Sequence, residues 1–374
     1  LAMERQAVLS PNPNDQSKSK RPMWERSTVE FRDRHQSFFP PGIATRPESS
    51  YGFRNASKEQ APIVSDIKLF RFGPQSMTEL PGEAMQVEKS LQSLFEANLE
   101  ALLGIRFLAS EYVTGPAHGG RIDTLGVDED NCPVIIEYKR AVNENVINQG
   151  LYYLDWLLDH RKEFQWLVLE KLGPEVAKDI DWSTPRLLCI AGDFTRYDGH
   201  AVKQIARNIE LIRYRKFATD LLMLELVHAP KQIKTSSTAI SEAKALSENA
   251  DLDPYLTQSI GYRIAQADQS VRDVYDAVRT YLSGLGDDVQ VKELKYYVAF
   301  KRLKNFACVE VYPKAKSVTV FLKLDPATVA IEEGFTRDVR EIGHFGTGDL
   351  QVTLRSMDDF SRAQPLFQKS YERS

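Results

Sequence analysis

The sequence predicts an α/β protein, with a mixed sheet flanked by helices and then a smaller α+β domain. Three observations predict it. Short aliphatic runs alternate with helical apolar stripes between residues 65 and 228. Two of those runs are joined by a tight acidic turn, as in a hairpin. From Ser270 onward several strand-like runs lie between an opening and a closing helix.

The chain has 374 residues, 42% hydrophobic and 27% charged. That is ordinary globular composition, long enough for two or three domains. The net charge of −4 is not the basic balance of a protein that coats nucleic acid, so any such contact has to be local. Cys132, Cys189 and Cys308 are far apart and show neither zinc-site spacing nor a disulfide framework, which fits a reducing cytoplasm. Leu221 to Leu226 is the longest aliphatic stretch near the middle. Glu225 interrupts it, and it falls far short of the roughly 20 residues a bilayer needs. No signal-peptide pattern is visible.

Residues 1–64 are rich in Ser, Asn, Pro, Arg and Lys and read as a largely disordered tail, with Trp24, Phe31, Phe38 and Phe39 as candidates for docking a short piece onto the body. Residues 65–228 read as the first domain. Asp66 to Phe70 alternates like a strand, with a partner at Glu79-Leu80. A helix follows over Glu83 to Leu103, striped by Val87, Leu91, Leu94, Phe95, Leu99, Leu102 and Leu103 and ended by Gly104. Ile105 to Thr114 reads as a strand entering the glycine-rich bend Gly115 to Gly120, whose glycines either let a ligand's backbone come close or simply make a turn.

The hairpin comes next. Its strands are Arg121 to Val127 and Pro133 to Lys139, with the turn Asp128-Glu129-Asp130-Asn131-Cys132 between them. A register that pairs Val127 with Pro133 also sets Asp123 opposite Glu137. Alternation then puts Glu137 and Lys139 on one face, with Ile136 and Tyr138 on the other. Two carboxylates this close are stable only with a cation between them or with one protonated. A hard divalent ion suits such an oxygen site, and a neighbouring lysine can orient a water or steady developing negative charge. Phosphodiester hydrolysis uses this set of groups. Arg121 is a candidate phosphate contact through its guanidinium, and a surface salt bridge with Asp128 or Glu129 is the alternative.

At Asp123 and Glu137-Tyr138-Lys139 the sequence resembles the PD-(D/E)xK nuclease motif, with Ile122 where the motif's name has proline. Gln149 and Tyr153, four residues apart on one helix face, resemble the QxxxY motif of the RecB-type and NucS-like branch. GGRID and IEYKR are similar in wording to NucS-like domains. The resemblance covers about residues 66–227. It implies a restriction-endonuclease-like core and divalent-metal-dependent cleavage of DNA in repair, restriction or anti-phage defence. RNA stays open as a substrate, and relatives of this kind pair, which implies a homodimer. Asp123, Glu137 and the Tyr138 carbonyl would bind Mg²⁺ or Mn²⁺, and Lys139 would position the attacking water. Glu88, beside the buried stripe, would act on the site through a water, with Glu96 and Glu100 as solvent-facing competitors. Gln149 and Tyr153 would order Lys139 or the substrate. The alternative function is a nucleic-acid-binding or regulatory module that keeps the nuclease fold without cutting.

The rest of the first domain reads as a helix over Asn143 to His160, a continuing helix to Leu172 ended by Gly173-Pro174, and a buried strand Arg186 to Ala191. A helix around His200 to Asn208 and strands Ile209 to Tyr214 and Leu221 to Val227 complete it. Lys203, Arg207 and Arg213, with Arg215 and Lys216, form the best basic cluster and are candidate DNA contacts. Residues 229–269 read as a linker with a short helix over Ser241 to Asn249, and residues 270–374 as the second domain. Its elements are a helix over Val271 to Leu282, strands at Val291 to Leu294, Ala307 to Tyr312, Ser317 to Leu324 and within GHFGTGDLQVTLRS, and a helix over Met357 to Tyr371. This block resembles a small domain of unknown function sometimes labelled a predicted transport protein, although no membrane segment supports that label. Lysines and arginine at 292, 295, 301, 302 and 304 interleave with Tyr296, Tyr297, Phe300 and Phe306. The pattern is compatible with nucleic-acid binding, or with solvated charges over buried rings.

Overall fold

The hairpin predicted from the turn chemistry is the middle of the first domain's sheet. A computed structural model describes residues 67–74, 76–85, 87–139, 146–230 and 259–374. The expectations for residues 1–64, the start of the helix at Asn143 and the helix over Ser241 to Asn249 lie outside the described residues. The described residues all belong to one compact unit, and their strands make three sheets.

The small sheet is an antiparallel pair, β1 (Leu69–Phe72) and β2 (Met77–Leu80). The central sheet contains β3 (Gly82–Glu83), β4 (Ile105–Val113), β5 (Arg121–Asp128), β6 (Pro133–Lys139), β7 (Arg186–Ala191), β8 (Asn208–Phe217) and β9 (Leu221–His228). Its order is β3-β8-β7-β6-β5-β4, with β9 also paired to β8. β6, β7 and β8 are parallel, while β4, β5 and β6 are antiparallel, so the sheet is mixed. β6 and β7 are buried almost throughout, as a strand covered by helices on both faces must be.

One face is covered by α1 (Glu88–Ala97) and α2 (Leu99–Leu103), whose Leu91, Phe95, Leu99 and Leu103 pack on Val134, Ile136 and Tyr138. The other is covered by α4 (Val146–Asp159), α5 (Arg161–Leu172) and α6 (Pro174–Lys178), where Leu154, Trp156 and Leu157 join Ile135, Leu187 and Cys189. A four-residue helix α3 (Gly115–His118) occupies the glycine-rich bend.

The single helix expected over Glu83 to Leu103 is two helices. Gly82 and Glu83 pair with β8, the Met85 N–H donates to the Tyr214 hydroxyl, and α1 starts only at Glu88. Asn98 breaks the run at φ −130°. Val87 and Leu94 are exposed. The helix expected at His200 is α7 (Arg196–Gln204), started earlier by a capping box between Thr195 and Asp198.

The C-terminal domain holds α8 (Ile260–Gln266), α9 (Gln269–Ser283) and α10 (Met357–Glu372). Its antiparallel sheet contains β10 (Gln290–Glu293), β11 (Val298–Lys301), β12 (Asn305–Tyr312), β13 (Ser317–Leu322), β14 (Thr336–Asp338) and β15 (Leu350–Leu354), in the order β10-β11-β12-β13-β15-β14. The sequence reading did not anticipate β11 and β14. The helices pack on one face through Val271, Val278, Leu282 and Phe367. Ile260, ahead of the expected start at residue 270, belongs to this core.

The interleaved basic and aromatic run is turned inward in part. Lys292 and Lys301 are only 6% and 5% exposed, and Phe300 and Phe306 are fully buried. Lys304 donates to the Ala101 carbonyl at 2.8 Å. Lys292, Lys301 and Lys304 of this run thus lie at the seam with the first domain, which corrects the nucleic-acid reading for the two buried lysines, while Lys295 stays exposed and Arg302 half-exposed. Among the described residues no helix is long and apolar enough to cross a membrane.

Candidate active site

At the open end of the β5–β6 hairpin the ladder changes character. Val127 pairs with Pro133 and Thr124 with Ile136, the expected register. One step further the side chains take over from the backbone. The Asp123 N–H donates to Glu137 Oε1 at 3.2 Å, and the Tyr138 N–H donates to Asp123 Oδ2 at 3.0 Å. Two acids thus sit against each other where the strands part.

Their electrostatics follow from burial. Glu137 is fully buried. That burial, and then the neighbouring charge of Asp123, pushes its carboxyl up to about 9. Asp123 is also raised by burial, against the opposing pull of the Tyr138 N–H and of Lys139. Glu137 Oε2 is buried with no hydrogen-bond partner, an arrangement that costs free energy unless something fills the position. Lys139 is mostly buried and reaches Glu88 Oε1 at 3.5 Å, so the first turn of α1 is brought to the same end of the sheet. Tyr138 sends its ring to the opposite face, edge-on to Phe95 at 5.7 Å.

Among the described residues no group of three or more His, Cys, Asp or Glu side chains is arranged to hold a metal ion. Two carboxylates with one orphaned oxygen do fit a hard divalent cation, because Mg²⁺ commonly takes one or two carboxylates and keeps water in its other positions. Asp123 and Glu137 are the residues that would hold it.

Several neighbours were missed by sequence reasoning. Gln92 is 3% exposed and donates to the Asp123 carbonyl at 2.7 Å, to Glu96 Oε1 at 3.0 Å and to Ser110 Oγ at 3.2 Å. Thr124 Oγ1 donates to Glu96 Oε1 at 2.6 Å, so Glu96 is a structural acceptor rather than a plain solvent-facing charge. Gln92 lies four residues after Glu88, and a glutamine in line with a buried stripe was the available signal. Glu111, at φ 53°, takes Lys89 at 2.8 Å and Arg121 at 2.5 Å. Arg121 therefore pairs with Glu111, not with Asp128 or Glu129.

Gln149 Nε2 donates to the Tyr153 hydroxyl at 3.4 Å, and that hydroxyl accepts the Arg121 N–H at 3.1 Å. These hydrogen bonds run to the start of β5. A Cβ on Gly120 would lie 2.5 Å from the Tyr153 ring, so only glycine allows this approach. An open cleft of about 650 Å³ lies alongside, lined by Val113, Gly115, Pro116, Gly119, Gly120, Arg121 and Tyr153.

The basic cluster divides. Lys203 and Arg207 are exposed. Arg213 is 1% exposed and bound to Asp193 at 3.0 Å and Glu225 at 2.9 Å. It is a buried ion-pair residue inside β8, which corrects its place among surface contacts.

Comparison with known proteins adds three findings. Residues 262–374 match the family described as Domain of unknown function (DUF5655). An uncharacterized protein of Haemophilus influenzae (strain ATCC 51907 / DSM 11121 / KW20 / Rd) is 27% identical over 292 residues, covering 78% of this chain and 94% of that one. Two solved structures show partial likeness. One is a repair endonuclease from Pyrococcus abyssi, at 19% identity and TM-score 0.23 over 35% of this chain and 49% of that chain. The other is an EndoMS–dsDNA complex, at 20% identity and TM-score 0.21 over 35% and 47%. The chain spans about half the length of each of these two structures.

Proposed function

We propose that this protein is a divalent-metal-dependent nuclease that hydrolyses phosphodiester bonds in DNA at Asp123, Glu137 and Lys139. The observation that carries this reading is the opposed pair of half-buried Asp123 and buried Glu137, mutually hydrogen-bonded through the backbone and left with one carboxylate oxygen unpartnered. Bound there, Mg²⁺ or Mn²⁺ would supply the positive charge that lets both carboxylates ionise and would polarise a phosphoryl oxygen. The Tyr138 carbonyl is the proposed third ligand. Lys139 would orient the attacking water and stabilise charge developing on the phosphate, with Glu88 holding the ammonium in place. Gln149 and Tyr153 would fix the first residues of β5. Arg121, Lys203 and Arg207 are the proposed phosphate contacts.

The test is incubation of the purified protein with linear, circular, mismatched and single-stranded DNA, with Mg²⁺ or Mn²⁺ and with EDTA, beside Asp123→Ala and Lys139→Ala. The expected result is metal-dependent product that both substitutions abolish while thermal unfolding stays cooperative. Cleavage that survives both variants would remove the assignment. Salt-sensitive binding that EDTA leaves unchanged, with no product, would instead support a non-cutting module.

A further inference from the structure

We propose that the C-terminal domain acts as a clamp on the catalytic hairpin: Lys292, Tyr297, Asn305 and Lys323 grip its acidic turn and so fix the register that sets Asp123 against Glu137. The catalytic consequence rests on the reading of that pair given above, but the clamp itself does not.

The turn is held from both sides. Within the first domain, Asp128 Oδ1 accepts the N–H groups of Asp130 and Cys132 at 2.9 and 2.8 Å, and Asn131 adopts φ 59°. From the C-terminal domain, the Tyr297 hydroxyl and Asn305 Nδ2 donate to Asp130 Oδ1 at 2.8 and 2.7 Å. The Asn305 N–H donates to Glu129 Oε2 at 2.7 Å, and Lys323 pairs with the same carboxylate. Lys292 lies 3.7 Å from Asp130 Oδ2 and 2.7 Å from Cys132 Sγ.

The charges are complementary. Asp128, Asp130 and Glu210 are buried in the first domain with one guanidinium, Arg186. That leaves an excess of two buried negative charges, and uncompensated buried charge is strongly unfavourable. Lys292 and Lys301, buried at the same seam, bring two positive charges. Burial alone would push the Asp128 carboxyl up, but Lys292 and then Arg186 hold it well below the usual carboxylate range.

The link to the site is the hairpin's period of two. Slipping one strand by a single residue moves its side chains to the other face. Asp123 and Glu137 would then lie on opposite sides of the sheet. The turn helps set register within the hairpin, and the C-terminal domain holds three of its residues. The open end is about four residues away, roughly 14 Å at strand rise, through residues buried on both faces.

The experiment uses the full chain with Tyr297→Phe, Asn305→Ala and Lys292→Met, and Lys292→Arg as the conservative control. Hydrogen exchange is read at the Asp123 and Tyr138 amides, which report the opposed pair directly, and at Ile190 and Ile212 in the neighbouring strands. The expected result is exchange at least tenfold faster at Asp123 and Tyr138, with Ile190 and Ile212 within twofold of the parent and Lys292→Arg close to the parent. Where cleavage is established, kcat falls about tenfold with KM within twofold. Faster exchange at Asp130 and Cys132 alone, with Asp123 unchanged, would overturn the proposal, as would an equal rise at all four sheet amides. If a variant does not fold, Lys323→Ala, at a half-exposed position, gives the same readings. A parent protein that cuts nothing would refute the nuclease reading and leave the exchange result to decide the clamp.

Discussion

The Asp123 N–H is held by the Glu137 carboxylate, and the next residue after Glu137 returns the bond by donating its N–H to the Asp123 carboxylate. The hairpin ladder ends in this exchange. It keeps two acids together at the cost of a buried carboxylate oxygen without a partner. Most of what the site is expected to do follows from that cost.

Glu137→Gln should separate stability from activity. The folded carboxyl is raised from the unfolded range near 4.5 to about 9. A raised carboxyl contributes stability that is fully present below about 4.5 and is lost as pH rises through about 9, because the folded state binds the extra proton. In EDTA the parent should therefore lose stability between those pH values, at most about 1.4 kcal/mol per pH unit. Glu137→Gln should be flat there and inactive. Urea unfolding of both proteins at pH 5, 7 and 9 decides it, and parallel curves would contradict the burial argument.

Gln92→Leu should cost about 1–3 kcal/mol, since the Asp123 carbonyl, Glu96 and Ser110 all lose their shared donor. Cleavage should fall with it, because that carbonyl lies on the residue whose carboxylate would bind the ion. Chemical denaturation and initial rates measured on the same preparation test the pairing of the two effects. A destabilised variant with parental turnover would show that α1 does not position Asp123.

Lys203→Ala and Arg207→Ala should weaken DNA binding and make its salt dependence shallower by roughly one unit each, as loss of a phosphate contact does. Arg213→Ala should behave differently. It leaves Asp193 and Glu225 without their buried partner and should destabilise the fold by about 3–5 kcal/mol. Fluorescence anisotropy between 50 and 200 mM salt, next to thermal melts, distinguishes a surface contact from a buried one.

Acid should attack the seam. Burial opposes the Glu210 charge, but Arg186 and then Lys301 hold its carboxyl down at about 2. A lowered carboxyl gives stability present above about 4.5 and lost as pH falls through about 2. Unfolding free energy should drop over that window by about 1.4 kcal/mol per pH unit for this group, and Glu210→Gln should flatten the fall. Stability unchanged from pH 5 to pH 3 would argue against the buried network.

The hairpin, its register, the buried strand Arg186–Ala191 and the closing helix were legible because each rests on local rules: turn chemistry, period-two alternation and an unbroken apolar run. Asp123 and Glu137 followed from register alone. For Gln92 the sequence offered only its place in line with a buried stripe, and the groups it serves, Asp123 and Ser110, are set by strands it meets only in the fold. The helix break at Asn98 and the early start at Arg196 depended on cap geometry that outweighs propensity.

By itself the sequence determined which residues could face each other within one hairpin and which runs had to be buried, because strand and helix periods are properties of the local chain. The tertiary structure alone decided where long-range charge would be spent. Arg213 and the lysines at 292 and 301 carry the same charge as Lys203 and Arg207, yet they lie inside, opposite Asp193, Glu225, Asp128 and Asp130. Whether a cation meets solvent or a buried carboxylate depends on partners far away in the chain, and no local pattern encodes that distance.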